Sequence, residues 1–140
     1  HLPCQSRIPV TGSNAPEMLP IAEMMYEDFP DGKPKILGYT AKWKEDSFEY
    51  RHTVRRFVRS DEESALASSL YKICLQCWHI FGLKGYARID FRLDAHGIPN
   101  VLEINANPCI TPGAGFYAAC EQAGYSFRDV LDRIIASSLA

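Results

Sequence analysis

The chain has 140 residues, 46% of them hydrophobic and 23% charged, with a formal net charge of −2. That is about one domain's length, with enough apolar side chain to bury a core without staples, and its aromatic share of 11% argues against disorder. That net charge gives no electrostatic case for nucleic acid, nor for a polybasic membrane anchor, since the densest basic spot, Arg55, Arg56 and Arg59, is followed directly by Asp61, Glu62 and Glu63, and no apolar run nears the ~20 residues that span a bilayer.

Residues 1–20 carry Pro3, Pro9, Gly12, Pro16 and Pro20 and are expected to be rich in loops, with 1–15 a lead-in. A chain opening on His1 rather than Met is expected to be a piece of a longer protein. Met18 to Tyr26 is short and apolar, and Pro20 makes it an expected edge strand. Ile36 to Lys42 reads as a second strand after the Pro30, Gly32, Pro34 turn. Residues 43–58 show no clear period and read as a loop or an ordered flap. From Ser60 to Phe81 the sequence predicts a long helix. Ser60 and Glu63 have capping-box spacing, Leu66, Leu70, Ile73, Cys74, Cys77, Trp78 and Phe81 make one stripe, and Gly82 is the stop. A hairpin follows, with Tyr86–Leu93 and Asn100–Asn105 joined across Asp94, Gly97 and Pro99. Its apolar face carries Ala87, Ile89, Phe91, Leu93, Leu102 and Ile104. Past a Pro/Gly loop, a short helix spans about Phe116 to Gln122. A last helix opens at Ser126 and Asp129 and buries Phe127, Val130, Leu131, Ile134 and Ile135. The expected class is α+β, a mainly antiparallel sheet packed by helices.

The hairpin carries the chemistry. If Leu93 faces Asn100, then Asp90 faces Glu103 and Arg88 faces Asn105; a slip of two residues keeps the faces and changes the partners. In each such register two carboxylates and an amide oxygen share one patch of sheet. Like charges directly opposite are destabilising, so a shared proton, a neighbouring cation or a bound metal must offset them. These hard oxygen donors suit magnesium, manganese or calcium, and two carboxylates with one amide leave coordination sites for phosphate and water. A solvated face, with Asp90 and Glu103 paired to Arg88 and Arg92, stays open at this point.

The run Gly85-Tyr86-Ala87-Arg88-Ile89-Asp90-Phe91, the turn, and Leu102-Glu103-Ile104-Asn105-Ala106-Asn107-Pro108 resemble the signature of ATP-grasp enzymes of the D-alanine–D-alanine ligase type. Gly38-Tyr39-Thr40-Ala41-Lys42-Trp43 is similar to the motif that opens the family's flap, and the Ala119–Ser126 segment and final helix match the family's end. The resemblance implies the C-terminal subdomain of the ATP-grasp fold over residues 1–140, without the upstream lid and substrate domain. It implies an ATP- and magnesium- (or manganese-) dependent carboxylate–amine ligase working through an acyl phosphate. Asp90, Glu103 and Asn105 would bind the metal, Lys42 the phosphates, and Leu102 the adenine, with Arg88 stabilising the transferring phosphoryl group. Small carboxylates and amines would be the substrates, the cytoplasm the location, and a homodimer one assembly. The isolated piece would turn over little or nothing. The alternative is a non-catalytic module of the same fold that binds a nucleotide or a partner. Two positions depart from the family: Cys109 replaces a glycine, and Thr111-Pro112-Gly113-Ala114-Gly115 lacks the serine that holds a substrate carboxylate, which argues against D-alanine.

Cys4, Cys74, Cys77, Cys109 and Cys120 are an odd, scattered set and read as reduced thiols. Cys74-x-x-Cys77 lies inside a helix stripe, which fits buried thiols better than a redox pair. His52, Tyr50, Arg51, Arg55 and Arg56 form a basic stretch of the expected flap; His1, His79 and His96 share no metal spacing.

Overall fold

The computed structural model describes residues 5–12, 16–37, 39–58 and 64–139. Strands β1 (Gln5–Gly12), β2 (Glu17–Met18), β3 (Ala22–Tyr26), β4 (Thr53–Phe57), β5 (Gly85–Leu93) and β6 (Pro99–Asn105) form one antiparallel sheet. Its order is β4-β3-β1-β5-β6, with β2 paired to β1. The helices are α1 (Tyr39–Trp43), α2 (Phe48–Arg51), α3 (Ser64–Ile80), α4 (Gly115–Gln122) and α5 (Phe127–Leu139). The expected α+β class is present.

Because successive residues of a strand point to opposite faces, Ala87, Ile89 and Phe91 share one side of β5. They pack with Leu70, Cys74, Cys77 and Trp78, which recur along α3 at helical spacing. On the opposite side, Phe57 and Tyr86 meet a second core of Leu19, Phe116, Tyr117, Ala119, Cys120 and Val130. The sheet is therefore a middle layer between α3 and the α4–α5 pair. Both α3 and α4 stop in the same way. Gly82 and Gly124 take positive φ (58° and 88°), and the next residues, Leu83 and Tyr125, donate back to Trp78 O and Cys120 O, each at 2.9 Å. Among the described residues no helix is long and apolar enough to cross a membrane.

Several expectations change. The lead-in contains β1, a strand with partners on both sides. Pro9 is tolerated there because β3 pairs with Gln5–Arg7 and β2 with Val10 and Thr11, so Pro9 falls between the two stretches. The 18–26 segment is split by Leu19-Pro20-Ile21 into β2 and β3, and β3 lies inside the sheet, between β1 and β4, rather than at its edge. The expected strand at 36–42 is absent. Ile36 is exposed, and the good helix formers Ala41 and Lys42 sit on α1. Residues 43–58 form α2 and β4 rather than a loop. Ser47 caps α2, its side chain accepting from Tyr50 N at 3.1 Å. The capping box at Ser60 and Glu63 lies outside the described residues. Phe81 falls after α3 and is 63% exposed. On α5 only Val130 is fully buried, while Phe127 and Ile135 are exposed.

Candidate functional site

The hairpin brings four of the expected residues together. Along β5 and β6, Arg88 pairs with Asn105, Ile89 with Ile104 and Asp90 with Glu103. Nearer the turn the register changes: Leu93 faces Pro99, Arg92 faces Asn100 and Phe91 faces Val101. The assumed start, Leu93 on Asn100, is thus one residue off. A β-bulge absorbs the difference, with Leu102 the extra residue between Val101 and Glu103. It also removes Leu102 from the apolar face expected of it, and the side chain is 54% exposed at the sheet edge. The turn itself is held by Asp94 Oδ1, which accepts from His96 N at 2.8 Å and Ile98 N at 2.9 Å.

Asp90 is only 2% exposed. Such a carboxylate needs compensation, and its strand neighbour supplies it. Arg88, two residues away on the same face, donates from Nε to Oδ1 at 2.7 Å and from Nη2 to Oδ2 at 3.0 Å. This forked geometry fixes both side chains. The neighbouring cation foreseen as one possible offset is therefore present for Asp90. Arg92, the other expected partner, instead donates to Lys35 O at 3.1 Å. Glu103 is exposed and carries no ion pair among the described residues. Among the described side chains, the patch thus sets two opposed carboxylates beside the Arg88 guanidinium.

Asn105 Oδ1 accepts from Asn107 N at 2.9 Å, and Tyr86 donates from its hydroxyl to Asn107 Oδ1 at 2.6 Å. The first bond orients the amide of Asn105 and the second holds Asn107 at the start of the loop toward the buried Pro108. In that loop the exposed thiol of Cys109 lies 3.1 Å from Thr111 Oγ1, and this hydrogen bond pulls the thiol below its ordinary pKa. Burial instead pushes Cys74 up to about 12, with Cys77 beside it adding to the shift, and burial takes Cys120 to about 11. The paired thiols of α3 are structural.

Donor chemistry tests the fit to magnesium. No three His, Cys, Asp or Glu side chains gather as a metal cage among the described residues. Asp90, Glu103 and Asn105 offer hard oxygens on adjacent strands, and an ionised oxygen bonded to Arg88 retains a further lone pair. The set suits an ion that keeps water or phosphate in its remaining positions. Lys42 lies elsewhere, exposed on α1, outside the group that the hairpin assembles. The remaining basic residues of 50–56 are mostly committed. Arg51 lies 3.5 Å from Asp46, Arg56 Nε donates to Glu23 Oε2 at 3.1 Å, and His52 stacks on Phe48 with centroids 3.9 Å apart. Arg55 differs: the sequence placed it only in the basic stretch of an expected flap, and the structure turns it inward on β4. Strand β4 inverts the usual pattern, turning Thr53, Arg55 and Phe57 inward and leaving Val54 exposed. The signal was a pair of arginines inside a β-branched run, hidden because polarity suggested a loop.

A family model described as D-ala D-ala ligase C-terminus matches residues 4–136. The D-alanine–D-alanine ligase of Glaesserella parasuis serovar 5 (strain SH0165) is 28% identical over 122 residues, 87% of this chain and 36% of that protein. A crystal structure of the D-alanine–D-alanine ligase from Bacillus anthracis aligns with TM-score 0.72 and 25% identity, over 97% of this chain and 39% of that one. The Bacillus anthracis ligase complexed with ATP aligns with TM-score 0.70 and 22% identity, over 97% and 37%. The chain therefore spans between 36% and 39% of the proteins it matches here. With the family model covering nearly its whole length, and with the arginine–aspartate strand paired to the glutamate–asparagine strand, the chain belongs to the D-alanine–D-alanine ligase family as its C-terminal domain.

Proposed function

We propose that this chain is the metal- and phosphate-binding part of an ATP-dependent carboxylate–amine ligase. The observation that carries the reading is the β5–β6 register, which opposes Asp90 to Glu103 and Arg88 to Asn105. In the overall reaction a carboxylate oxygen attacks the terminal phosphorus of ATP, giving an acyl phosphate and ADP. An amine then displaces phosphate from the acyl carbon. Asp90, Glu103 and Asn105 would hold magnesium, which when bound neutralises phosphate charge and orients the chain of phosphates. Arg88, held rigidly by Asp90, presents its remaining N–H donors to the transferring phosphoryl group, and a preorganised donor of this kind costs no rearrangement during reaction. Leu102, exposed at the bulge, offers an apolar surface to the adenine. Lys42 supplies a further cation to the phosphates from α1.

The carboxylate and amine are small molecules. D-alanine is what the relatives' names imply, while Cys109 and the serine-free loop at 111–115 favour a different acceptor. Because the chain spans 36% of its curated relative, we propose that alone it binds nucleotide weakly and does not ligate.

Calorimetric titration of magnesium–ATP into the chain tests the reading. Binding should require magnesium and fall about tenfold or more in Asp90→Asn and in Glu103→Gln, the loss of one charge-assisted contact. Magnesium-independent binding, or wild-type affinity in both variants, would contradict it.

A further inference from the structure

We propose that Tyr86 and Asn107 are positioning residues for the metal site: the Tyr86 hydroxyl anchors Asn107 to the sheet, and Asn107 in turn holds the Asn105 carboxamide in place for the ion. The inference rests on the ligase reading above and adds residues to it.

Strand β6 ends at Asn105, paired with Arg88, and the chain then bends away at Ala106 and Asn107. Asn105 is therefore the last rung of its ladder, and no strand pairing beyond it restrains the amide. Strand β5 by contrast stays paired with β1 for three residues more, through Tyr86 opposite Thr11 and Gly85 opposite Gly12. Tyr86 lies two residues before Arg88 and so shares the face that carries Arg88 and Asp90. Continuing the β5–β6 register by two residues sets Tyr86 opposite Asn107. The backbones no longer pair there, but the side chains do. Tyr86 donates from its hydroxyl to Asn107 Oδ1 at 2.6 Å, and Asn107 N donates to Asn105 Oδ1 at 2.9 Å. Two hydrogen bonds thus take over from the ladder at the point where the candidate ligand sits.

The anchor is itself fixed. The Tyr86 ring meets Phe116 edge-on, with centroids 5.4 Å apart and planes at 69°, and Phe116 is fully buried in the core beneath α4 and α5. On the other side of Asn107 the chain is held by the buried Pro108. An amide oxygen has two lone pairs. The bond from Asn107 N uses one on Asn105 Oδ1 and leaves the other for a cation. The same bond decides which end of the carboxamide does so, because a flipped amide would set its N–H donors against the Asn107 N–H and take the oxygen out of the site. Partners one shell behind a metal ligand tune affinity in this way, by holding the ligand in its binding orientation. An ordinary loop staple would add stability and nothing else. Tyr125 supplies that comparison. Its hydroxyl also donates to an oxygen, Glu17 Oε1 at 2.7 Å, and its ring packs on the same core, yet it touches no candidate ligand.

Manganese titration of the 15N-labelled chain, followed as amide broadening at Asp90, Glu103 and Asn105, tests the role. The midpoint should rise about tenfold in Tyr86→Phe, which keeps the ring on Phe116, and comparably in Asn107→Ala, which keeps the backbone N–H. The double variant should lose no more than the larger single change, since both substitutions cut one bond. Tyr125→Phe should keep the wild-type midpoint. Without metal, the side-chain amide signals of Asn105 should move in Tyr86→Phe and Asn107→Ala and stay in place in Tyr125→Phe. The backbone amide spectrum verifies that each variant is folded. A wild-type midpoint in folded Tyr86→Phe and Asn107→Ala would overturn the proposal. Additive losses in the double variant, or an equal loss in Tyr125→Phe, would do the same. Any of these results beside wild-type broadening that Glu103→Gln abolishes would leave the ligase reading standing. A wild-type chain that shows no broadening at the hairpin would overturn both.

Discussion

Arg88 and Asp90 illustrate how two residues on one strand face set up a site. The pair is nearly buried, with side-chain exposures of 13% and 3%, and forked. Removing one member leaves the other's charge uncompensated, so Asp90→Ala should destabilise the chain by about 3 kcal/mol in urea unfolding. Glu103 should act in the opposite sense. It faces Asp90 across β6 and lies exposed, so Glu103→Gln relieves a like-charge opposition and should stabilise by a few tenths of a kcal/mol. A wild-type residue that weakens the fold is expected where function needs the charge; a destabilising Glu103→Gln would remove that argument. Cysteine chemistry divides along the same lines of burial and partner. At neutral pH, iodoacetamide followed by peptide mass spectrometry should label Cys109 first among Cys74, Cys77, Cys109 and Cys120, because Thr111 lowers its pKa and it alone of the four is exposed. Labelling of Cys74 ahead of Cys109 would show that the α3 core opens readily. The alternation in Tyr86–Leu93 made the pairing of Asp90 with Glu103 legible from sequence. The fork from Arg88 was readable only as one of two possible partners, since i,i+2 spacing allows it without requiring it.

At the scale of elements, local signals were legible where the chain's own chemistry closes the motif. Ser126 and Asp129 cap α5 reciprocally: Ser126 N donates to Asp129 Oδ2 at 2.8 Å, and Asp129 N donates to Ser126 Oγ at 3.2 Å. Ser126→Ala should cost about 1 kcal/mol of stability in thermal or urea unfolding. The hydrogen bonds from Ser126 hold the Asp129 carboxyl below its usual value of 3.8. Its contribution is therefore present above that value and is lost as pH falls through the lower folded-state pKa. The stability difference between wild type and Asp129→Asn should accordingly shrink in acid and persist at pH 6; a difference that grew in acid would contradict the cap. Where partners are distant in sequence, the reading failed for identifiable reasons. Strand β1 was obscured by Pro9, whose missing donor falls between the β2 and β3 ladders. Strand β4 was obscured by polar residues turned inward, and Pro20 pointed to an edge strand although it falls in the break between β2 and the interior strand β3. The bulge at Leu102 left no compositional mark, yet it places the Asp90–Glu103 pair in register despite the different pairing at the turn.

The whole molecule is a sheet that commits its two faces to different tasks. One is covered by α3 through Ala87, Ile89 and Phe91. The other is shared between the core beneath α4 and α5 and a polar region containing Arg88, Asp90 and Glu103. Glu17 ties the layers at the site's margin, accepting from the Tyr125 hydroxyl at 2.7 Å and pairing with Arg133 of α5. This division explains why the hairpin could be read from the sequence before the sheet around it. The hairpin's residues are contiguous and period-two, whereas the central position of β1 depends on pairings with β5 and β3 across long stretches of chain. It also places the candidate chemistry on a rigid support, since β5 runs through the sheet between β1 and β6, and β6 forms one of its edges. The central claim is that the β5–β6 register assembles a divalent-metal site. Titration of the 15N-labelled chain with manganese, read as paramagnetic broadening of amide signals, tests it directly. Broadening should centre on Asp90, Glu103 and Asn105, spread first to Arg88 and Asn107, and be lost in Glu103→Gln. Broadening centred elsewhere, or unaffected by that substitution, would contradict the account.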